Sequence, residues 1–550
     1  MEKIWLENYD YFVPESIRYP KTPLYQILEY TCLKYEDVVA TIFFDQKMTY
    51  GELRDKVRRF ATALKEMGVR KGDRVAMILP NCPQMIISYY GILESGGVAT
   101  AINPLNSERE IEFQLKDSGA EVLIYLDLFN DKVESVLEST PVTKRIATSI
   151  SDYMETPGEV AVAEGPNVFH FRNVVDESSP EAPDLEIDVT QDLAALQYTG
   201  GTTGISKGVM LTHRNLLANV LQIHFWAKEF IERGKDVFMC ILPFFHSYGQ
   251  TVAMNTAIFS AATMILMPQF EINMMLEAIK KYQPNFFPAV PTIYVAILSH
   301  PDATKYGIDK IKLCNSGAAP LPVEIIRQFS KISGGIFSEG YGLSESSPVT
   351  HSNPILGMKK VGSIGIPFPD TEITIVDAET GMTELGLDEP GELCIKGPQV
   401  MKGYWNNPEE TANTLRDGWL YTGDISKVDE DGYFYIVDRK KDMIIAGGFN
   451  IYPRDIDEVL FEHPKVQEAI AVGVPDEYRG ETVKAFVVLK EGQDCTEDEI
   501  ISFCKERLAK YKVPKLVEFR VELPKSLIGK VLRRALLEEE IEKRKAESED

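Results

Sequence analysis

From residue 74 the chain alternates short, continuous apolar runs with longer periodic stretches: RVAMILP (74–80), QMIISYYGILESGG (84–97), VATAINP (98–104), SEREIEFQLKDSG (107–119) and EVLIYL (121–126). The short runs have strand length and the long ones helical period. Strands buried on both faces read as unbroken apolar runs, so the alternation predicts a parallel sheet covered by helices on both sides. Ser107 and Glu110 stand at capping-box spacing where the second helix should begin. A second alternating block follows with LAALQY (193–198), DVFMCILP (236–243), TMILM (263–267), NFFPAV (285–290) and IKLCNSG (311–317). Between the blocks, 150–190 is Pro-rich, acidic and aperiodic, and reads as a surface connection.

At 550 residues the chain exceeds one core. After about residue 350 the texture changes to short alternating strands with Gly turns, such as TEITIVD (371–377) and GYFYIVD (432–438), which predicts a β-rich subdomain. DRKKD (438–442) then separates a different unit. There PRDIDEVLFEHP (453–464) puts Ile456, Val459 and Leu460 on one helical face, EAIAVGV and VKAFVVL read as strands, and Thr496…Glu499 opens a further helix. The fold class expected is α/β: a large N-terminal domain (1–438) of doubly wound sheets plus the β-rich subdomain (about 350–438). A hinge (439–442) and a smaller, mobile α+β C-terminal domain (443–550) complete it.

Net charge is −25, from 83 acidic and 58 basic residues, which argues against a nucleic-acid binder. Seven dispersed cysteines without CxxC spacing fit buried thiols in a reducing, cytoplasmic setting and give no zinc-ligand pattern. Residues 244–270 carry no charged side chain, yet Gln250, Asn255, Thr256 and Ser260 interrupt them, so a buried helix followed by a strand is expected there rather than a membrane span. The N-terminus shows no secretory signal pattern.

The chemistry-bearing residues are concentrated in a few stretches. YTGGTTGISKG (198–208) follows a strand-like run and precedes a helical pattern. It is no P-loop, because Lys207 follows Ser206 and precedes Gly208, where a P-loop needs Gly before its Lys and Ser or Thr after. Its Gly200, Gly201, Gly204 and Gly208 let backbone N–H groups come close to a ligand. Thr199, Thr202, Thr203 and Ser206 add hydroxyls and Lys207 a positive charge, together an anion-binding concavity suited to phosphate. EGYGLSE (339–345) ends with Ser344 and Glu345, WLYTGD (419–424) with Asp424, DRKKD supplies Arg439, and PKSLIGKVLRR (524–534) supplies Lys530. Taken singly, each of these has an ordinary reading as a turn former or solvated charge.

In their order, YTGGTTGISKGVMLTH, EGYGLSES, YTGD, VDRKKDMIIAGGFNIYPRDIDEVL and PKSLIGKVLRR resemble the acyl-adenylate-forming superfamily, and within it the fatty-acyl-CoA ligases. The resemblance spans about residues 25–535. It implies ATP, Mg²⁺ and CoA as cofactors and a medium- or long-chain fatty acid as substrate. The loop 199–207 would hold the β- and γ-phosphates. Glu345, with Thr202, would hold Mg²⁺, Ser344 would donate to the α-phosphate, and Asp424 with Arg439 would grip the ribose. Tyr341, Gly342, Gly317 and Ala318 fall in the implied nucleotide and acyl pocket. Lys530 would reach the α-phosphate and the carboxylate, and His246 would gate that carboxylate. Lys441 would be the pivot, and Gly447 with Gly448 would line the CoA path. Two departures stand out: Gly200-Gly201 where many relatives carry Ser-Gly, and Leu527-Ile528 where polar residues are frequent. An aryl-acid CoA ligase, or an acyl-AMP ligase that passes its product to a carrier protein, are alternatives on the same scaffold. The sequence leaves open a homodimer and peripheral membrane contact.

Overall fold

The computed structural model describes residues 2–158, 160–162, 165–199, 206–319, 321, 323–446, 449–476, 480–525 and 531–549. The two alternating blocks form two large sheets. The first orders its strands 403–404, 207–212, 193–199, 98–101, 74–78, 122–126, 144–148 and 168–170, parallel from Leu193–Thr199 through the far edge. In the second, the strands 336–342, 313–316, 286–289, 237–240, 263–266 and 39–43 run parallel, flanked by antiparallel strands at both ends. Helix Pro83–Glu94 is buried along its whole length between such layers, which explains an apolar run without an obvious polar face. Ser107 and Glu110 close the expected capping box.

A third sheet, antiparallel, takes 372–376, 391–396, 419–428, 415–416 and 434–439. The fourth belongs to the smaller α+β unit. Its long hairpin Val466–Asp476 with Gly480–Leu489 is covered by helix Pro453–Phe461, whose Ile456 and Leu460 are fully buried. Large α/β layers plus a small α+β unit are thus the observed architecture.

Two local expectations differ from the structure and a third is met in a particular form. The segment 150–190 is partly built into the fold: Val168–His170 is an edge strand, and helix Phe171–Glu177 buries Phe171, Val174 and Val175. The expected helix is present as His213–Trp226, capped by Thr212, but residues 207–212 intervene between it and the Gly/Thr-rich stretch. They form a strand paired antiparallel with 193–199, Thr199 opposite Lys207, so the Gly/Thr-rich stretch connects a hairpin. The apolar segment after His246 is, as expected, a buried helix followed by a strand: a π-helix, Gly249–Asn255, continues as a short α-helix, Thr256–Phe259, before the strand Thr263–Leu266. Among the described residues no helix is long and apolar enough to cross a membrane.

Candidate active site

The loops at the carboxyl ends of the second sheet's parallel strands converge, the usual place for a ligand in open α/β sheets. After Val237–Cys240 the chain turns through 243–248, held by Asn81, whose side chain donates to the Cys240 and Leu242 carbonyls and accepts from the Phe244 N–H. His246 lies in this turn, half-buried, and its Nδ1 accepts the Tyr248 N–H at 3.2 Å. The neighbouring Ser247 hydroxyl is 3.1 Å from that of Ser344, which follows strand Ile336–Gly342. Gly317 and Ala318 follow the strand Leu313–Ser316 between them. A Cβ on Gly317 would sit 3.2 Å from the Tyr248 ring, and Ala318 is left-handed at φ 69°. Tyr248 in turn donates to Asn315 Oδ1 at 2.6 Å.

Glu345, half-buried, accepts the Tyr404 hydroxyl at 2.8 Å, and its carbonyl accepts Met401 N–H. Burial, and then the Glu345 charge, push the Tyr404 phenol far above its ordinary pKa, so it stays a donor. The Lys207 ammonium lies 5.2 Å from the centre of the Tyr404 ring and is ion-paired with Glu410. At the hairpin's base Ser206 Oγ donates to the Thr199 carbonyl at 2.8 Å. Among the described residues, the base of the hairpin thus carries the Ser206 hydroxyl and the Lys207 ammonium, with Tyr404 and the carboxylates of Glu345 and Glu410 beside it.

The next cluster is set by strand register. Asp424 and Arg439 are opposed residues of strands Trp419–Val428 and Phe434–Arg439, with Arg439 Nε 3.3 Å from Asp424 Oδ1. Tyr341 donates to Asp424 Oδ2 at 2.5 Å, and burial followed by the Asp424 charge drives its pKa well up. Gly423, at φ 71°, gives its N–H to Glu392, whose other oxygen pairs with Lys440 at 3.0 Å. Gly342 has no room for a side chain, because a Cβ there would lie 2.0 Å from the Pro348 carbonyl oxygen. Lys441 is exposed on the turn after Arg439.

The structure pairs Thr199 with Lys207, sets His246 and Gly317 beside Tyr248, brings Ser344 to Ser247, and joins Tyr341, Asp424 and Arg439 in one cluster, with Ala318, Gly342 and Glu345 next to these along the chain. Gly200, Gly201, Thr202, Thr203, Gly204, Gly447, Gly448 and Lys530 lie outside the described residues. The sequence reading missed Asn81, Ser247, Tyr404 and Glu410. The last two sit in GYWNNPEET (403–411), where no spacing rule marks a tyrosine or a glutamate as partner to residues 59 and 203 positions away. Elsewhere, His463, Cys495 and Glu499 offer three donor atoms within 4.8 Å of one another, but Lys465 already neutralises Glu499 at 2.8 Å.

Behind the strands 313–316 and 336–342 lies an apolar cavity. Its wall includes Trp226, Phe238, Val252, Phe286 and Val349, with Asn315 and Ser338 among the few polar groups. The hairpin base at Thr199 and Lys207, the paired Asp424 and Arg439, and this cavity fit a nucleotide-binding enzyme. The chain belongs to the AMP-binding enzyme family: that family's profile matches residues 28–405, and the profile of its C-terminal domain matches 455–530. It is 47% identical over 555 residues to the long-chain-fatty-acid–CoA ligase of Bacillus subtilis, spanning 98% of this chain and 99% of that one. It is 38% identical over 562 residues to the protein of the same name from Escherichia coli O6:H1, spanning 98% of each. The crystal structure of ATP-bound MatB from Rhodopseudomonas palustris superposes with a TM-score of 0.83 at 30% identity, covering 94% of this chain and 99% of that one.

Proposed function

We propose that the protein is an AMP-forming acid–thiol ligase acting on a medium- or long-chain fatty acid. In the first half-reaction a carboxylate oxygen attacks the α-phosphorus of ATP and the bond to the bridging oxygen breaks, giving acyl-AMP and pyrophosphate. In the second, the CoA sulfur attacks the acyl carbon, the bond to the AMP oxygen breaks, and the thioester and AMP leave. The observation that carries the fatty-acid reading is the apolar cavity behind Asn315 and Ser338, where each buried methylene of a chain would gain about 0.8 kcal/mol.

The first half-reaction joins two anions, so its main requirement is charge compensation fixed in advance. Asp424 and Arg439 would grip the ribose hydroxyls, the carboxylate accepting and the guanidinium donating. Ser344 would donate to the α-phosphate, and the hairpin 199–207 would hold the outer phosphates. His246, on the turn beside Ser344, would face the incoming carboxylate. Glu345 is a hard oxygen donor whose other role, accepting Tyr404, fixes its orientation, so it fits Mg²⁺, with Thr202 as a further ligand. When bound, the ion would offset negative charge on the phosphates. Lys530 would complete the charge at the α-phosphate, and Gly447 and Gly448 would admit the pantetheine chain. We infer that the unit 443–550 moves about 439–442, with Lys441 as pivot, to bring these groups in turn. A cytoplasmic location fits seven free cysteines that are all buried.

An AMP-release assay over acids of increasing length, with and without CoA, tests the reading. Release that needs CoA and rises with chain length supports it. Activity with aromatic acids alone, or only with a holo-carrier protein as acceptor, would overturn it. Lys530→Ala is expected to lower pyrophosphate exchange by about a thousandfold, from a charge worth about 4 kcal/mol at close range.

A further inference from the structure

The C-terminal unit contacts the strand that carries Arg439 around a buried carboxylate. Asp438 ends strand Phe434–Arg439 beside Arg439, with its side chain 2% exposed. Its Oδ1 accepts the Arg439 N–H at 2.7 Å and its Oδ2 accepts the Arg454 N–H at 2.9 Å, in the first turn of helix Pro453–Phe461. Arg533, at the start of the last helix, brings Nη1 to 3.7 Å from Asp438 Oδ1. The same guanidinium is paired with Asp457 and donates from Nε to the Ala471 carbonyl at 3.2 Å. Arg454 adds a bond from Nη1 to the Ile436 carbonyl at 2.6 Å, so the strand is held at Ile436 as well as at Asp438.

We propose that Arg533 and Asp438 form a positioning relay that fixes the strand end carrying Arg439, and thereby makes the ribose grip depend on how the C-terminal unit is seated. This rests on the nucleotide site proposed above. Successive residues of a strand face opposite sides, so Asp438 takes its partners from the C-terminal unit while Arg439 faces Asp424. Arg439 is 39% exposed at its side chain and has a long, flexible stem, so its aim is set largely where its backbone is pinned. The pin is Asp438, which accepts the Arg439 N–H itself. Removing Arg533 leaves that buried carboxylate short of a counter-charge, a situation proteins relieve by local rearrangement. A shift of an ångström at a binding group is enough to weaken its contacts.

The test is calorimetric binding of ATP and of 2′,3′-dideoxy-ATP to the full chain and to Arg533→Ala, Asp438→Asn and Arg533→Lys, each alone and combined with Arg439→Ala. The expected result is a loss of about tenfold in ATP affinity for the first two variants, with Arg533→Lys between them and the wild type. Dideoxy-ATP, lacking the hydroxyls that Arg439 would hold, should change by less than about twofold. Beside Arg439→Ala neither substitution should cost anything further, since groups that act through one another are not additive. Equal losses on both nucleotides, losses that add to Arg439→Ala, or no loss on ATP would each overturn the relay. Should Arg533→Ala not fold, Asp438→Asn and Arg533→Lys make the same comparison with little change in volume. Failure of the ligase reading is separately visible: a wild type that binds ATP but releases AMP with no acid refutes that reading and leaves the binding comparison intact.

Discussion

Arg439 Nε stands 3.3 Å from Asp424 Oδ1 because the two residues are register partners on adjacent antiparallel strands, and Tyr341 closes the cluster from the second sheet at 2.5 Å. The grip is therefore built before any nucleotide arrives. Charged hydrogen bonds contribute about 1.5–3 kcal/mol each. Asp424→Ala should weaken ATP binding by about 10- to 100-fold and leave the KM for the acid within about twofold. Calorimetric titration of ATP and steady-state kinetics in the acid check both halves of that expectation.

Tyr404 orients Glu345 by a single hydrogen bond of 2.8 Å. Tyr404→Phe keeps the ring under Lys207 and removes only that bond. Partners of this kind are worth about 10- to 100-fold in metal affinity. The Mg²⁺ concentration giving half-maximal AMP release should rise by about tenfold, with little change in thermal stability. An unchanged midpoint would separate Glu345 from the metal.

The architecture was legible in the sequence where burial forces a simple pattern. Parallel strands covered on both faces gave unbroken apolar runs at 74–80 and 122–126, and the Ser107–Glu110 box marked its helix as expected. Legibility failed where tertiary contacts override local composition. Lys207–Thr212 is a strand because it pairs with Leu193–Thr199 on one side and with Gly403–Tyr404 on the other, neither of which the local sequence announces. The π-helix is held by distant partners, Tyr90 donating to Asn255 Oδ1 at 2.8 Å and Tyr89 to Gln250 Oε1 at 3.3 Å. Motif order singled out Asp424, Arg439, Ser344 and Glu345 as candidates, but the residues that contact them, Tyr341 apart, have no motif of their own.

Two glycines of the site should respond differently to alanine. At Gly342 the added Cβ would meet the Pro348 carbonyl oxygen at 2.0 Å, a clash with backbone that no rotamer relieves. At Gly317 it would meet the Tyr248 ring at 3.2 Å, a contact a small ring movement accommodates. Gly342→Ala should cost about 3 kcal/mol or more in denaturant unfolding, at the severe end for single substitutions. Gly317→Ala should cost under about 1 kcal/mol, with its loss appearing in kcat/KM for the acid. The reverse ranking would refute the geometry of this loop.

Glu94, at the end of helix Pro83–Glu94, is raised to about 7 by burial first and by the Glu29 charge second, with Arg58 opposing. A carboxyl whose folded pKa lies above its unfolded value contributes stability that is full below the unfolded pKa. That contribution is lost as pH rises through the folded one. The wild type should therefore lose stability between about pH 4.5 and pH 7 through this group. Glu94→Gln removes the ionisation. It should match the wild type at pH 4 and exceed it at pH 8 by up to about 3 kcal/mol, taking 1.36 kcal/mol per unit. Urea unfolding at the two pH values measures the difference, and a Gln variant that is less stable at pH 8 would contradict it.

The cavity wall carries the substrate claim most directly. Val252 lines it from the π-helix, and Phe286 and Pro288 are further parts of its wall. Its side chain is half-buried, so a larger one can project into the cavity without displacing a packed core. Val252→Phe should occlude the space that the distal part of a long acid would fill, while the nucleotide residues, on other loops, keep their contacts. At about 0.8 kcal/mol per buried methylene, excluding two of them lowers kcat/KM for the longest acid about fifteenfold. An acid short enough to stop before Val252 should be used as well as by the wild type, and ATP affinity should not move. Assays across chain lengths read the crossover. A uniform loss at every length would place the acyl chain somewhere other than this cavity.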